Sequence, residues 1–166
     1  MRKFTEFTKK PKMIKEENEV NINSSAVIEQ PKEEAATNTA DSSTSKFFSK
    51  LFESREMAHI YHLTVKGEPG SHAAHTALGE YYDSILTFID EMIEVYQGQY
   101  GIIEEYETID TKETKTKDKL EYFSQLVEWV RKEKKCFNPE DTHLINIVDE
   151  IVTLMYKTIY KLKYNK

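Results

Sequence analysis

Residues 71–97 place an apolar side chain on one side of a helix for about seven turns. Ala74, Ala77, Leu78, Tyr81, Ile85, Phe88, Ile89, Met92 and Tyr96 recur at spacings of three and four. This period belongs to an amphipathic helix, here roughly 40 Å long. Such a stripe stays soluble only when other elements cover it, so the rest of the chain has to supply helices of comparable length.

Three further stretches do so. Phe47, Phe48, Leu51, Phe52, Ala58, His62 and Val65 share a face over 45–66, behind the N-cap candidates Ser43, Thr44 and Ser45. Leu120, Phe123, Leu126, Val127 and Val130, widened by Trp129, form a seam within 112–136. Asn138-Pro139-Glu140-Asp141 reads as the opening of a helix over 139–164, lined by Leu144, Val148, Ile151, Met155, Ile159 and Leu162. The long second helix is expected over 71–98, with Gly98 and Gly101 as candidates for its end. Only 5 Gly and 4 Pro occur, which suits helices better than a turn-rich β fold.

The connections fix the expected topology. Glu68-Pro69-Gly70 makes a tight turn, so the first two helices form an antiparallel hairpin. Gln99 to Thr111 is much longer than the ~2–8 residues that usually join bundle neighbours. About 13 extended residues reach roughly 43 Å, enough to return along the whole bundle. That excess points to a long crossover, the topology of ferritin-like folds. The fold expectation is therefore all-α: a ferritin-like four-helix bundle over 45–166 behind a disordered N-terminal tail over 1–44.

The tail lacks any helical or strand period and is too polar to offset its own ordering entropy. Up to Lys15 it carries Arg2, Lys3, Lys9, Lys10, Lys12 and Lys15 against Glu6 alone. It reads as a solubilising leader, or as a basic tip that docks on nucleic acid or a partner protein. The whole chain, with net charge −6, is not a nucleic-acid binder by bulk charge. Cys136 is the single cysteine, which excludes an internal disulfide and suits a reducing compartment. The residues after Met1 form no apolar leader and no apolar run is long enough to span a bilayer, so no membrane partner is expected.

Four of the five histidines, His59, His62, His72 and His75, flank the hairpin turn. Glu56 precedes His59 by three residues, a carboxylate–imidazole spacing used in helical metal sites. On the second helix His75, Asp83, Asp90 and Glu94 share a polar stripe, and His/carboxylate sets of this kind suit iron, zinc or manganese. The metal-ligand candidates are Glu56, His59, His62, His75, Asp90 and Glu94. The same residues also fit an ordinary solvent face and hydrogen-bonded core histidines, and both readings stay open. No nucleophile elbow, phosphate-binding glycine loop or C-x-x-C occurs, so no catalytic residue is nominated. Tyr81, Tyr82, Tyr96 and Gln97 are candidates for a partner surface, where tyrosine is favoured.

Two resemblances follow from these motifs. Ser54, Arg55, Ala58, His59, His62 and Leu63, then His75, Leu78, Tyr81 and Tyr82, then Asp90, Glu94, Tyr96, Gln97 and Gly98 resemble a family of uncharacterised tailed-bacteriophage proteins. That likeness implies a phage origin. His62, His75, Asp90 and Glu94 also resemble the site of the ferritin-like, DNA-protecting mini-ferritins, with Gly79 standing where that family has an acid. This second resemblance implies His62 and His75 as nitrogen ligands, Asp90 and Glu94 as oxygen ligands from a second subunit, and iron oxidation as the activity.

The function expected first is a binding or structural role for a phage-encoded helical protein in the virion or host cytoplasm, assembled as a homo-oligomer. A mini-ferritin-like ferroxidase protecting DNA comes second, and a host-directed protein-binding factor third.

Overall fold

The computed structural model describes residues 42–67, 69, 71–115 and 117–165. All but the last three residues of the expected tail lie outside that range. Ser42, Ser43 and Thr44 instead belong to the first helix, where Thr44 is buried. Four α-helices make the fold: α1 Ser42–Thr64, α2 Ser71–Tyr100, α3 Lys119–Glu133 and α4 Thr142–Tyr164. Among the described residues there is no strand, and no helix is long and apolar enough to cross a membrane.

Helix α2 buries eight of the nine stripe residues, with Phe88 half-buried and Ile93 added to the core. It runs past Gly98 to Tyr100. Gly101, at φ 97°, turns the chain out of the helix while its N–H bonds to the Gln97 carbonyl at 3.0 Å. A side chain at that φ would be strained, so Gly101 is the terminating glycine and Gly98 is an ordinary helical position.

Two expected helix starts move inward. Lys112–Lys115 forms a single 3₁₀ turn with no buried residue, because a Lys-Glu-Thr-Lys run has nothing apolar to lay against the core. Helix α3 starts seven residues later, behind Asp118, whose carboxylate accepts from the Leu120 N–H at 2.8 Å as an N-cap. Its C-terminal end tightens into a second 3₁₀ turn, Lys134–Cys136. Asn138 does not cap α4. Its side-chain carbonyl accepts from the Glu140 N–H at 3.1 Å, making a local turn, and the helix begins after Asp141.

The contacts fix the directions. Phe48 meets Tyr96 and Ser54 meets Tyr81, so α1 and α2 are antiparallel. Tyr61 packs on Tyr122 and Phe47 on Trp129, so α3 also runs against α1, parallel to α2. Arg131 reaches Tyr156 and Lys134 reaches Asp149, which makes α4 antiparallel to α3. The chain between α2 and α3 therefore returns the length of the bundle. It does so along α1: the Glu105 carbonyl accepts from Ser45, the Glu107 N–H donates to Ser49 at 2.8 Å, Tyr106 packs on Phe52, and the Lys117 carbonyl accepts from Tyr61 at 2.9 Å.

The core is aromatic at one end, where Phe47, Phe48, Tyr96 and Phe137 meet edge to face. Burying each such ring contributes about 1.5–3 kcal/mol from apolar transfer. Leu78, Tyr81, Ile85, Phe123, Val148, Ile151 and Met155 continue the core along the bundle.

Candidate functional site at the hairpin end

The turn after α1 brings His62, in the last turn of that helix, against His75, in the second turn of α2. Their rings stack with centres 3.6 Å apart and planes 25° from parallel. The His62 Nδ1–H donates to the His75 carbonyl at 2.8 Å, and the His75 Nδ1–H donates to the His62 carbonyl at 3.2 Å. A carbonyl oxygen only accepts, so both rings carry their proton on Nδ1. The His62 carbonyl is one of the last four of α1, which have no partner within the helix, and His75 satisfies it from across the turn. Gly79, one turn on from His75, leaves the space that the His62 ring occupies.

Two more rings extend the cluster. His59 packs on Tyr82 with ring centres 4.6 Å apart, and Tyr82 meets His62 edge-on at 5.3 Å. His59 and His62 are 6.4 Å apart, and His72 is exposed.

The nominated carboxylates stand elsewhere. Glu56 is ion-paired with its neighbour Arg55. Asp90 and Glu94 are exposed on α2, 15 and 19 residues beyond His75, which is about 22 Å and about 28 Å along the helix axis. Among the described residues, no group of three or more His, Cys, Asp or Glu side chains is placed to hold a metal ion. Asp90 and Glu94 therefore do not meet the His62–His75 pair within one chain.

The nominated partner surface is corrected for two of its members. Tyr81 and Tyr96 are buried, because both lie on the core stripe of α2. Tyr81 donates to the Ser54 hydroxyl at 2.9 Å, Ser54 in turn donating to the Leu51 carbonyl at 2.6 Å. Burial raises the Tyr81 pKa above its usual value. Tyr82 and Gln97 are half-buried, and the Gln97 side-chain carbonyl accepts from the Ile103 N–H at 3.0 Å at the start of the crossover. Nearby, Tyr122 is buried with no hydrogen-bond partner for its hydroxyl among the described residues, and burial drives its pKa well up. Tyr61 is pushed up to about 12, by burial first and by Asp118, Glu113 and Glu121 after it.

At the opposite end of α2, Asp141 is buried and accepts from Gln99 Nε2 at 2.9 Å and from the Tyr100 hydroxyl. His143 donates its Nε2–H to the Gln99 side-chain carbonyl at 3.0 Å. The Tyr100 hydrogen bond, followed by that of Gln99, holds the Asp141 carboxyl below the usual carboxylate value, and the same bond raises Tyr100. In the sequence Asp141 is only an acid near a helix start, with nothing to announce these partners.

A face of α4 was also missed. Tyr156, Tyr160 and Tyr164 are 46%, 59% and 61% exposed. With Thr153, Lys157 and Lys161, the first two of these line a shallow groove. The signal was present in the sequence: the three tyrosines recur every four residues, out of phase with the Leu144–Met155 seam.

A protein-family model described as a family of unknown function (DUF5856) matches residues 62–162. The match starts at His62 of the stacked pair and takes in the whole of α2 and α3 and nearly all of α4. Neither the curated proteins nor the solved structures contain a match to the chain.

Proposed function

We propose, from the premise that the chain belongs to DUF5856, a family of unknown function, that it is a helical binding or structural protein acting without catalysis and assembled from copies of itself. One observation supports this reading best: the His62–His75 pair, the strongest chemical candidate, commits both Nδ1–H groups to main-chain carbonyls that join two helices. The imidazoles thereby hold the hairpin closed. The phage origin and a place in the virion rest on the sequence resemblance. Mass spectrometry of purified virions is the test, and absence of the protein from particles that otherwise contain their full structural complement removes that placement.

A second reading, a mini-ferritin-like iron oxidase, draws on one structural feature. The parallel α2 and α3, joined by a connection lying along α1, are compatible with a ferritin-like arrangement. Fold does not carry activity with it. Anaerobic Fe(II) loading followed by exposure to air separates the two readings. An oxidation rate above buffer that disappears in Asp90→Asn and Glu94→Gln supports the oxidase, whereas a rate equal to buffer supports the non-catalytic protein.

A further inference from the structure

The outward stripe of α4 changes character at Thr153. Asp149 and Glu150 precede it, Tyr156, Lys157 and Tyr160 follow it, and all six residues are exposed. At about 100° per residue they lie within roughly 60° of Thr153, opposite the buried Leu144, Val148, Ile151 and Met155. Glu150 and Lys157 fall on one flank of the stripe, Asp149 and Tyr156 on the other. Neither Glu150 nor Lys157 makes an ion pair or side-chain hydrogen bond among the described residues. Tyr156 and Tyr160 add an apolar groove between the charges.

We infer that this face binds a second copy of the chain through an antiparallel α4–α4 contact centred on Thr153. A two-fold axis across the contact reverses chain direction and keeps each flank on its own side. Lys157, about 6 Å beyond Thr153, then meets Glu150 of the second copy, about 4.5 Å before it. Tyr156 meets Asp149 of the second copy in the same way, and the symmetry makes each pair occur twice. The tyrosine groove of one helix covers the polar half of the other, so both grooves close together. A parallel contact would instead set like charges against each other. An anionic polymer or anionic lipid surface would meet Lys157 but be repelled by Asp149 and Glu150 on the same stripe.

The inference rests on the reading of the chain as a self-assembling protein, and the two fail separately. Sedimentation of the full chain over a range of concentrations is the measurement. The unmodified protein is expected to dimerise, or to form a larger assembly containing the dimer. Lys157→Glu and Glu150→Lys each turn two symmetry-related attractions into repulsions and are expected to weaken association about tenfold or more. An equimolar mixture of the two variants restores both opposite-charge pairs and is expected to give heterodimers. The double variant K157E/E150K is expected to restore the homodimer.

A monomer at every concentration overturns both readings. An assembly insensitive to either variant, or one weakened by both and rescued by neither combination, overturns this surface and leaves self-assembly standing. Binding of a labelled single-stranded oligonucleotide by the unmodified chain, lost in Lys157→Glu, also overturns it by giving the face a different occupant.

Discussion

Gly79 and His62 share one space: a methyl group on Gly79 would stand 3.3 Å from His62 Cε1 and 3.4 Å from its Nδ1. His75 stacks on the ring and Tyr82 meets its edge, which restricts the directions in which it can yield. The position where the mini-ferritin resemblance expects an acid is thus the position that admits the stacked pair.

Gly79 and Gly98 are both helical, so alanine should favour the helix at each by about 0.5–1 kcal/mol. At Gly98 a Cβ meets nothing within 4 Å, and Gly98→Ala is expected to stabilise by about that amount. At Gly79 the methyl crowds the His62 ring and strains the hydrogen bond its Nδ1–H makes to the His75 carbonyl, a bond contributing about 1 kcal/mol. Gly79→Ala is therefore expected to forfeit the helical gain and fall about 0.5–1 kcal/mol below Gly98→Ala. Urea unfolding of the two variants checks this, and a Gly79→Ala protein as stable as Gly98→Ala refutes the tie.

The buried tyrosine hydroxyls should divide in sign. Tyr81 is bonded to Ser54, so Tyr81→Phe is expected to lose about 1 kcal/mol. Tyr122 buries a hydroxyl with no partner among the described residues, so Tyr122→Phe removes a desolvated group and should be neutral or stabilising by about 1 kcal/mol. Chemical denaturation of the pair checks the difference in sign.

Acid should loosen the joint between α2 and α4. The folded Asp141 carboxyl lies below its unfolded value of 3.8, so its contribution is fully present above that value and is lost as pH falls through the lower folded one. Tyr100 is raised above 10.0, so its contribution is present below that pH and fades as pH rises through the higher folded value. Asp141→Asn is expected to flatten the acid limb of a melting-temperature profile, and Tyr100→Phe to reduce both limbs. Melting temperatures from the acid to the alkaline end check both, and an unchanged acid limb in Asp141→Asn counts against the bond.

Of the candidate site, the histidine cluster alone is legible in the sequence. His62 and His75 flank a short turn, so their nearness was legible. That their Nδ1 atoms face carbonyls depends on the rotation of α1 against α2, which neither helix encodes alone. Tyr81 and Tyr96 looked equally fit for a surface or a core until packing chose the core, while Tyr156 and Tyr160 were left outside.

The three- and four-residue recurrence of apolar side chains along α2 and α4 specifies those helices, and a residue count sets the reach of the connection after Gly101. Those are properties of the covalent chain: a period defines a buried face and a residue count sets a span. The partners of the polar groups, by contrast, follow from how the helices pack. Asp141 bonds to Tyr100, 41 residues earlier, and α3 starts at its Asp118 cap rather than at Lys112. A donor's partner depends on which faces meet and at what rotation, and that is settled when four helices close around one core.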